Sequence, residues 1–238
     1  MKFDNRLITF NKPDLEKHLC LPKVFTPKLA EEIGLHIGDG SMNYYGLKSK
    51  GFYQLRGHIT DDKPHYYSRI RKIYKDLFNL DINLREMQST GVVGFQIWSD
   101  ALVQFKHKSL GLILGKKKEI SIPSTILKSQ ELSMAFLRGF FDTDGCLYMY
   151  RLYGKLYPRI EMATISGHLM QQISDILTNL NYRHGLYVQK RAKYGWNDLH
   201  TIHIRGVNLT KRWFEEIQPQ NPKHQDKYEK LIKENWAR

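Results

Sequence analysis

Cysteine is nearly missing from this 238-residue sequence: only Cys20 and Cys146 are present, far apart in the chain. That excludes a disulfide scaffold and offers no metal-ligand spacing, so a reducing compartment fits best. Long apolar runs are missing as well, since none approaches the roughly 18 residues that a membrane span requires. Asp4, Asp14 and Glu16 near the start speak against a transit peptide. The expectation is a soluble intracellular protein of the cytoplasm or an organelle matrix. Acidic residues are in short supply, 24 against 37 Lys and Arg, which leaves a formal charge of +13 and favours a polyanionic partner. The shortage is shared, with 20 basic and 13 acidic residues up to Thr125 and 17 against 11 beyond it. The excess is therefore a surface property of both halves and not of a basic tail.

What the chain does have is a stretch used twice. Leu29 to Ser41 reads Leu-Ala-Glu-Glu-Ile-Gly-Leu-His-Ile-Gly-Asp-Gly-Ser, and Phe136 to Leu147 reads Phe-Leu-Arg-Gly-Phe-Phe-Asp-Thr-Asp-Gly-Cys-Leu. Each is an apolar helix that stops at Asp-Gly. Thr26-Pro27 supplies a helix start for the first, and Leu29, Ile33 and Ile37 mark one of its faces. A hairpin is expected over Ser41 to Thr60 with its turn at Lys50-Gly51, where Tyr53, Leu55 and Ile59 alternate with Gln54, Arg56 and His58. A helix follows over Tyr66 to Phe78, two strands around Ser89-Thr90-Gly91, a shorter helix from about Asp100, and the basic run Lys116-Lys117-Lys118. The second half repeats the order: a helix over Ser129 to Thr143, Tyr-rich strands from Cys146, a helix over Gly167 to Leu180, and strands at Tyr187 to Gln189 and Thr201 to Arg205. Helices over Leu209 to Ile217 and Lys227 to Trp236 close it. The fold class is α+β, with an extension over 1–25 and two subdomains over 26–125 and 126–238.

Gly34 and Gly38 share a helix face, and Gly139 stands four before Thr143, so the two helices are suited to close backbone packing. Paired about a pseudo-twofold axis, they would bring Asp39 and Asp144 together. Two close carboxylates need a cation between them, and oxygen ligands with few protein partners favour Mg²⁺ completed by water and phosphate. Gly38 and Thr143, just before the aspartates, join them in the candidate metal set. Such a centre does phosphodiester chemistry, and a lysine nearby would offset developing negative charge. Lys117 and Lys223 are the candidates, 78 residues after Asp39 and 79 after Asp144.

Through Gly34-Leu35-His36-Ile37-Gly38-Asp39-Gly40 and Leu137-Arg138-Gly139-Phe140-Phe141-Asp142-Thr143-Asp144-Gly145, the chain resembles the LAGLIDADG homing endonucleases that carry both motifs on one chain. The second motif is the close match. The first departs at Ile37 and Gly38 but keeps the last acidic position as Asp39. The resemblance implies two αββαββα subdomains with motif helices at their interface and strands forming a saddle over double-stranded DNA. It implies a Mg²⁺-dependent monomer that cuts both strands of a long target to leave a staggered break, with Mn²⁺ substituting and Ca²⁺ binding without supporting cleavage. Asp142 takes a structural part, and Asp61 and Ser166 fall where the family positions water. Outward strand residues would contact DNA: Gln54, Arg56 and His58 in the first half, and Tyr148, Arg151, Arg159, Glu161, Gln189, Arg191 and Arg205 in the second.

An isolated Asp-Gly after an apolar helix is usually only a cap and turn; its repetition with matched downstream order overturns that reading. The tyrosines are expected to pack, His36 to be packed or hydrogen-bonded, and the cysteines to be inert. Two other functions use the same basic saddle: an RNA-binding maturase that assists intron splicing, with intron RNA as partner, and a DNA-binding regulator without cleavage. Neither needs two metal-ready carboxylates. An intein is not expected, because Met1 and the closing Asn235-Trp236-Ala237-Arg238 lack the ends that protein splicing requires.

Overall fold

The computed structural model describes residues 2–47 and 49–236. After α1 (Lys12–Glu16) and α2 (Pro27–Asp39), the chain forms β1 (Gly40–Tyr45), β2 (Lys50–His58), α3 (Ile59–His65), α4 (Arg71–Phe78), β3 (Arg85–Met87), β4 (Val92–Trp98), α5 (Asp100–Gln104) and α6 (Ser124–Leu127). There follow α7 (Gln130–Asp144), β5 (Gly145–Leu152), β6 (Lys155–Thr164), α8 (Gly167–Asn179), β7 (Gly185–Gln189), β8 (Leu199–Arg205), α9 (Val207–Glu216) and α10 (Pro222–Trp236). The strands make two antiparallel four-stranded sheets with the same order, β1-β2-β4-β3 and β5-β6-β8-β7. The internal repeat expected from the sequence is thus present in the topology.

The motif helices begin as their caps dictate: Thr26 Oγ1 accepts from Leu29 N at 3.2 Å and Ser129 Oγ from Leu132 N at 3.4 Å. They end without a loop. Gly40 and Gly145 have extended backbones, φ −82° and −98°, so each helix passes straight into the first strand of its sheet. The glycines answer a close approach and not a left-handed turn: a Cβ on Gly145 would lie 2.1 Å from Phe141 Cδ2.

Between the halves α2 packs on α7, backbone to backbone. A Cβ on Gly34 would sit 2.3 Å from the carbonyl oxygen of Phe136, and one on Gly139 would sit 2.0 Å from that of Glu31. Leu29, Ile33, Leu35, Phe136, Phe140 and Phe141 are buried in one apolar cluster that extends through both halves. Arg138 reaches across the seam to Glu31 at 3.3 Å, and Arg69 grips the same carboxylate at 2.6 Å.

Several expected boundaries move. The first hairpin turns at Gly46 and Ser49, which hold positive φ of 77° and 45°, whereas Lys50 and Gly51 already belong to β2. The helix expected from Tyr66 starts at Ile59 and runs through a π turn over Tyr66–Ile70 into α4. The last helix starts at Pro222 rather than Lys227, with proline in the first turn where its missing N–H costs nothing. Residues before α2 lie on the first half: the Phe3 ring packs 4.8 Å from Phe25 and 5.3 Å from Phe105.

Candidate active site

Because both helices end at the same level of the α2–α7 seam, their terminal aspartates share one electrostatic environment. Burial pushes the Asp39 carboxyl up to about 8, and the charges of Asp144 and Asp62 add to it against Lys223 and Lys117. Asp144 opens to solvent on one side, yet the surrounding protein still pushes it up to about 6, opposed by Lys117 and Lys223. The two aspartates and both lysines singled out by spacing therefore converge.

The lysines are held differently. Lys117 Nζ donates to the carbonyls of His36, Ile37 and Gly38 at 2.6, 2.8 and 3.0 Å, completing the end of α2, and burial brings it down to about 8. Lys223 Nζ instead donates across the seam to Asp62 Oδ1 at 2.7 Å. Gly38 thus offers a carbonyl already shared with Lys117. Thr143 Oγ1 donates back along its own helix, to Phe140 O at 3.0 Å.

Asp61 does not face this cluster: it is exposed, 3.4 Å from the ring of His58. The inward carboxylate is Asp62, one residue on, which accepts from His58 N at 2.8 Å, Asn221 Nδ2 at 2.8 Å and Lys223 Nζ. The shift follows from α3 starting at Ile59, which turns the fourth residue of the helix toward the seam. Ser166 is buried and caps α8, its Oγ accepting from Leu169 N at 3.3 Å and Ile120 N at 3.1 Å. Those bonds use its oxygen to cap α8 and to tie that end of the helix to the segment ahead of α6. Asp142 is also structural, accepting from Gln220 N at 2.9 Å and Asn221 N at 3.1 Å. His36 is buried and stacks 5.5 Å from Tyr53.

The outward faces of the sheets carry most of the other candidates. Gln54, Arg56 and His58 share one face of β2, with Gln54 opposite Gln96 and Arg56 opposite Gly94. Gly94 leaves no room for a side chain there, since a Cβ would meet Leu55 O at 2.2 Å. In the second sheet Tyr148 lies opposite Arg159, whose guanidinium covers its ring at 4.8 Å. Arg159 also pairs with Glu161, which lies 3.3 Å from His203 Nε2. Arg205 lies over Tyr187 at 5.5 Å, and Arg191 contacts Gln189 Oε1 at 3.2 Å. Arg151 is a correction. Its position in the alternation places it with Leu147 and Met149 on the inner face, where it pairs with Glu234 of α10 at 2.8 Å. Sequence reading passed over Arg85, Gln96 and Trp98, which strand pairing places on the outward face, and Asn221; the β3–β4 residues were legible by alternation, whereas Asn221 had no local signal.

In chelator the carboxylate pair sets a pH dependence. Asp39 binds its proton more tightly folded, near 8, than unfolded, near 3.8, so its contribution to stability is full below about 4 and is lost as pH rises through 8. Denaturant unfolding in chelator is therefore expected to show Asp39→Asn gaining on the wild type between pH 5 and 8.5. A stability difference constant over that range would refute the assignment.

The chain is thus basic, with two four-stranded sheets of like order and a pair of carboxylates at the end of the α2–α7 seam. Residues 131–218, in the second half, match the family model of a LAGLIDADG-like domain. The whole fold is that of LAGLIDADG homing endonuclease structures. I-DmoI in complex with DNA and Ca superposes with a TM-score of 0.59 at 14% identity, covering 86% of this chain and 97% of that one. I-DmoI in complex with DNA and Mn gives 0.56 at 15% identity, over 82% and 97%. The LAGLIDADG meganuclease I-AabMI bound to uncleaved DNA gives 0.55 at 13% identity, over 88% and 91%. In sequence, 184 residues are 23% identical to the isomerizing glutamine–fructose-6-phosphate aminotransferase of Methanocaldococcus jannaschii. That match takes in 77% of this chain but spans only 15% of that protein's length. Among the described residues no helix is long and apolar enough to cross a membrane.

Proposed function

We propose that this protein is a site-specific DNA endonuclease that hydrolyses both strands of a long target and leaves staggered ends, acting as a monomer. The observation that carries the reading is the convergence of Asp39, Asp144, Lys117 and Lys223 at the α2–α7 seam. Solved structures of similar fold bind DNA with Mn or Ca, and one I-DmoI variant does so in the presence of Mg, which supports the same partner and ion type here.

A divalent cation fits this chain's residues: burial pushes both carboxyls up, the charge of Asp144 adds to the rise at Asp39, and Lys117 and Lys223 offset it only in part. Asp39 and Asp144 would hold it, with the backbone at Gly38 and Thr143 beside them. Among the described residues no third His, Cys, Asp or Glu joins them in a metal-sized group, so water and phosphate oxygens complete the set. When bound, Mg²⁺ or Mn²⁺ supplies charge stabilisation to the phosphate and its leaving oxygen; Ca²⁺ occupies the site without supporting cutting. Lys117 and Lys223 place fixed positive charge beside the scissile phosphate. The outward faces of both sheets hold the duplex, Arg56, Arg159 and Arg205 to guanine or phosphate and Gln54, Gln96 and Gln189 to adenine.

Cleavage selection from a randomised duplex library in Mg²⁺, with Ca²⁺ as control, tests the reading. One long motif with staggered ends is expected in Mg²⁺ alone; no cutting in Mg²⁺ or Mn²⁺ overturns it. On the selected target, Arg56→Ala is expected to relax preference at one position at a cost of about 1–3 kcal/mol. Uniform weakening over all positions would reassign Arg56 to phosphate contact. An RNA-binding reading has one observation of its own: the exposed loop between β7 and β8, where Arg191 and Lys193 lie over the rings of Trp196 and Tyr194 at 5.9 and 4.8 Å, suits unstacked bases.

A further inference from the structure

Asn221 is fully buried, and each of its polar groups is used. Its Nδ2 donates to Asp62 Oδ1 at 2.8 Å and to the carbonyl of Asp142 at 2.9 Å. Its backbone N–H donates to Asp142 Oδ1 at 3.1 Å, its Oδ1 accepts from Lys223 N at 3.2 Å, and its carbonyl accepts from His224 N at 3.0 Å. One amide thereby joins α3 of the first half, the last turn of α7 two residues before Asp144, and the first turn of α10 that bears Lys223.

The chemistry of the site calls for an amide. The group must donate to one carboxylate and accept from a backbone N–H without adding a charge, and among short side chains only asparagine does both from two ends. Asp62 Oδ1 is shared between Asn221 Nδ2 and Lys223 Nζ. Without that anchor the four-carbon stem of lysine has many rotamers, and its ammonium would spend little time at one place.

We propose that Asn221 is a positioning residue for cleavage: it holds Asp62, and Asp62 holds the Lys223 ammonium beside the Asp39–Asp144 pair across the seam. The inference rests on the nuclease reading and assigns a role to two residues outside the paired motif. Asn221 also caps α10, and that function alone would be satisfied by serine, which is as good an N-cap but cannot reach Asp62.

The test is a double-mutant cycle on the target recovered with wild-type protein, read as strand-resolved, single-turnover rates at saturating protein. Asn221→Ser is expected to slow cutting about 10- to 100-fold, the usual cost of losing a supporting contact to a reacting group, while DNA affinity stays within about threefold. The strand slowed most should be the one slowed by Lys223→Met. The double variant should be no slower than Lys223→Met alone, because both changes remove the same placed ammonium. Asn221→Asp, closer in shape but adding a third carboxylate, should be worse than serine. If Asn221→Ser does not fold, Asp62→Asn takes its place in the cycle with the same expected result. Additive losses, or a loss that resides in DNA affinity with unchanged rate, would overturn the positioning role while leaving the nuclease reading intact. Wild-type protein that cuts no DNA would remove both.

Discussion

Asp39→Asn and Asp144→Asn are each expected to lower double-strand cleavage by on the order of 10³-fold, about 4 kcal/mol of barrier, while DNA binding stays within a few fold. The amide keeps the shape of the carboxylate and its place at the end of the helix, so the α2–α7 seam is undisturbed. What it removes is the negative charge that a cation would answer. The variants should pair lost activity with gained stability in chelator at pH 8, since the Asp39 carboxyl is pushed up to about 8 by burial and by its neighbours. Binding and cleavage measured on one labelled duplex, beside unfolding curves with and without Mg²⁺, would check both halves of the expectation. Cleavage at the wild-type rate in both variants would remove the carboxylate pair from the chemistry.

Gly139→Ala should have the largest effect on stability. Its new methyl would lie 2.0 Å from the carbonyl oxygen of Glu31, 2.9 Å from the carbonyl carbon and 3.0 Å from Leu35 N, all backbone atoms of α2. No rotamer change relieves such a contact, so the helices must separate and the apolar cluster around Phe136 and Phe140 must loosen. A loss of about 3–5 kcal/mol is expected, at the upper end for one substitution. Gly38→Ala makes a graded comparison. There the Thr143 Oγ1 at 2.0 Å can turn away, but the Thr143 Cβ at 2.7 Å moves only with α7, and a loss of about 1–3 kcal/mol, smaller than at Gly139, is expected. Denaturant titration of the two variants decides the point, and equal losses would mean that the seam is not held by backbone contact at Gly139.

The motif helices, the paired aspartates and the spacing of the lysines could be read from the sequence because each is local or repeated. Apolar residues at helical intervals and glycine at fixed places leave a mark that needs no knowledge of the partner helix. The misplacements have equally specific causes. Asp61, placed only by its order along the chain under the resemblance, lies one position from the inward Asp62; α3 starts at Ile59, inside what reads as the end of a strand, and one residue of helix is 100° of rotation. Arg151 follows Leu147 and Met149 at even intervals, so strand parity near the hairpin end sets it on their face and apart from Tyr148. Asn221 lies 159 residues from Asp62, and no periodicity in either segment announces a bond between them. Ser166 is placed by chain order under the resemblance alone, and order along the chain does not distinguish a helix cap from a water ligand.

The absence of any loop between α2 and β1, and between α7 and β5, has a mechanical consequence. Asp39 and Asp144 are each the last helical residue, and the next residue already pairs with the neighbouring strand, Gly40 with Leu55 and Gly145 with Met162. A rigid joint of this kind behaves as a crank: tilting either sheet by a few degrees against the seam displaces its aspartate with no compliant segment to absorb the motion. Duplex that bends each sheet to the same degree would bring both carboxylates into register, whereas a duplex with the wrong stiffness or groove width would leave one of them out of place. On the nuclease reading, sensitivity to the shape of the duplex would thereby be carried by the backbone as well as by contacts with base edges.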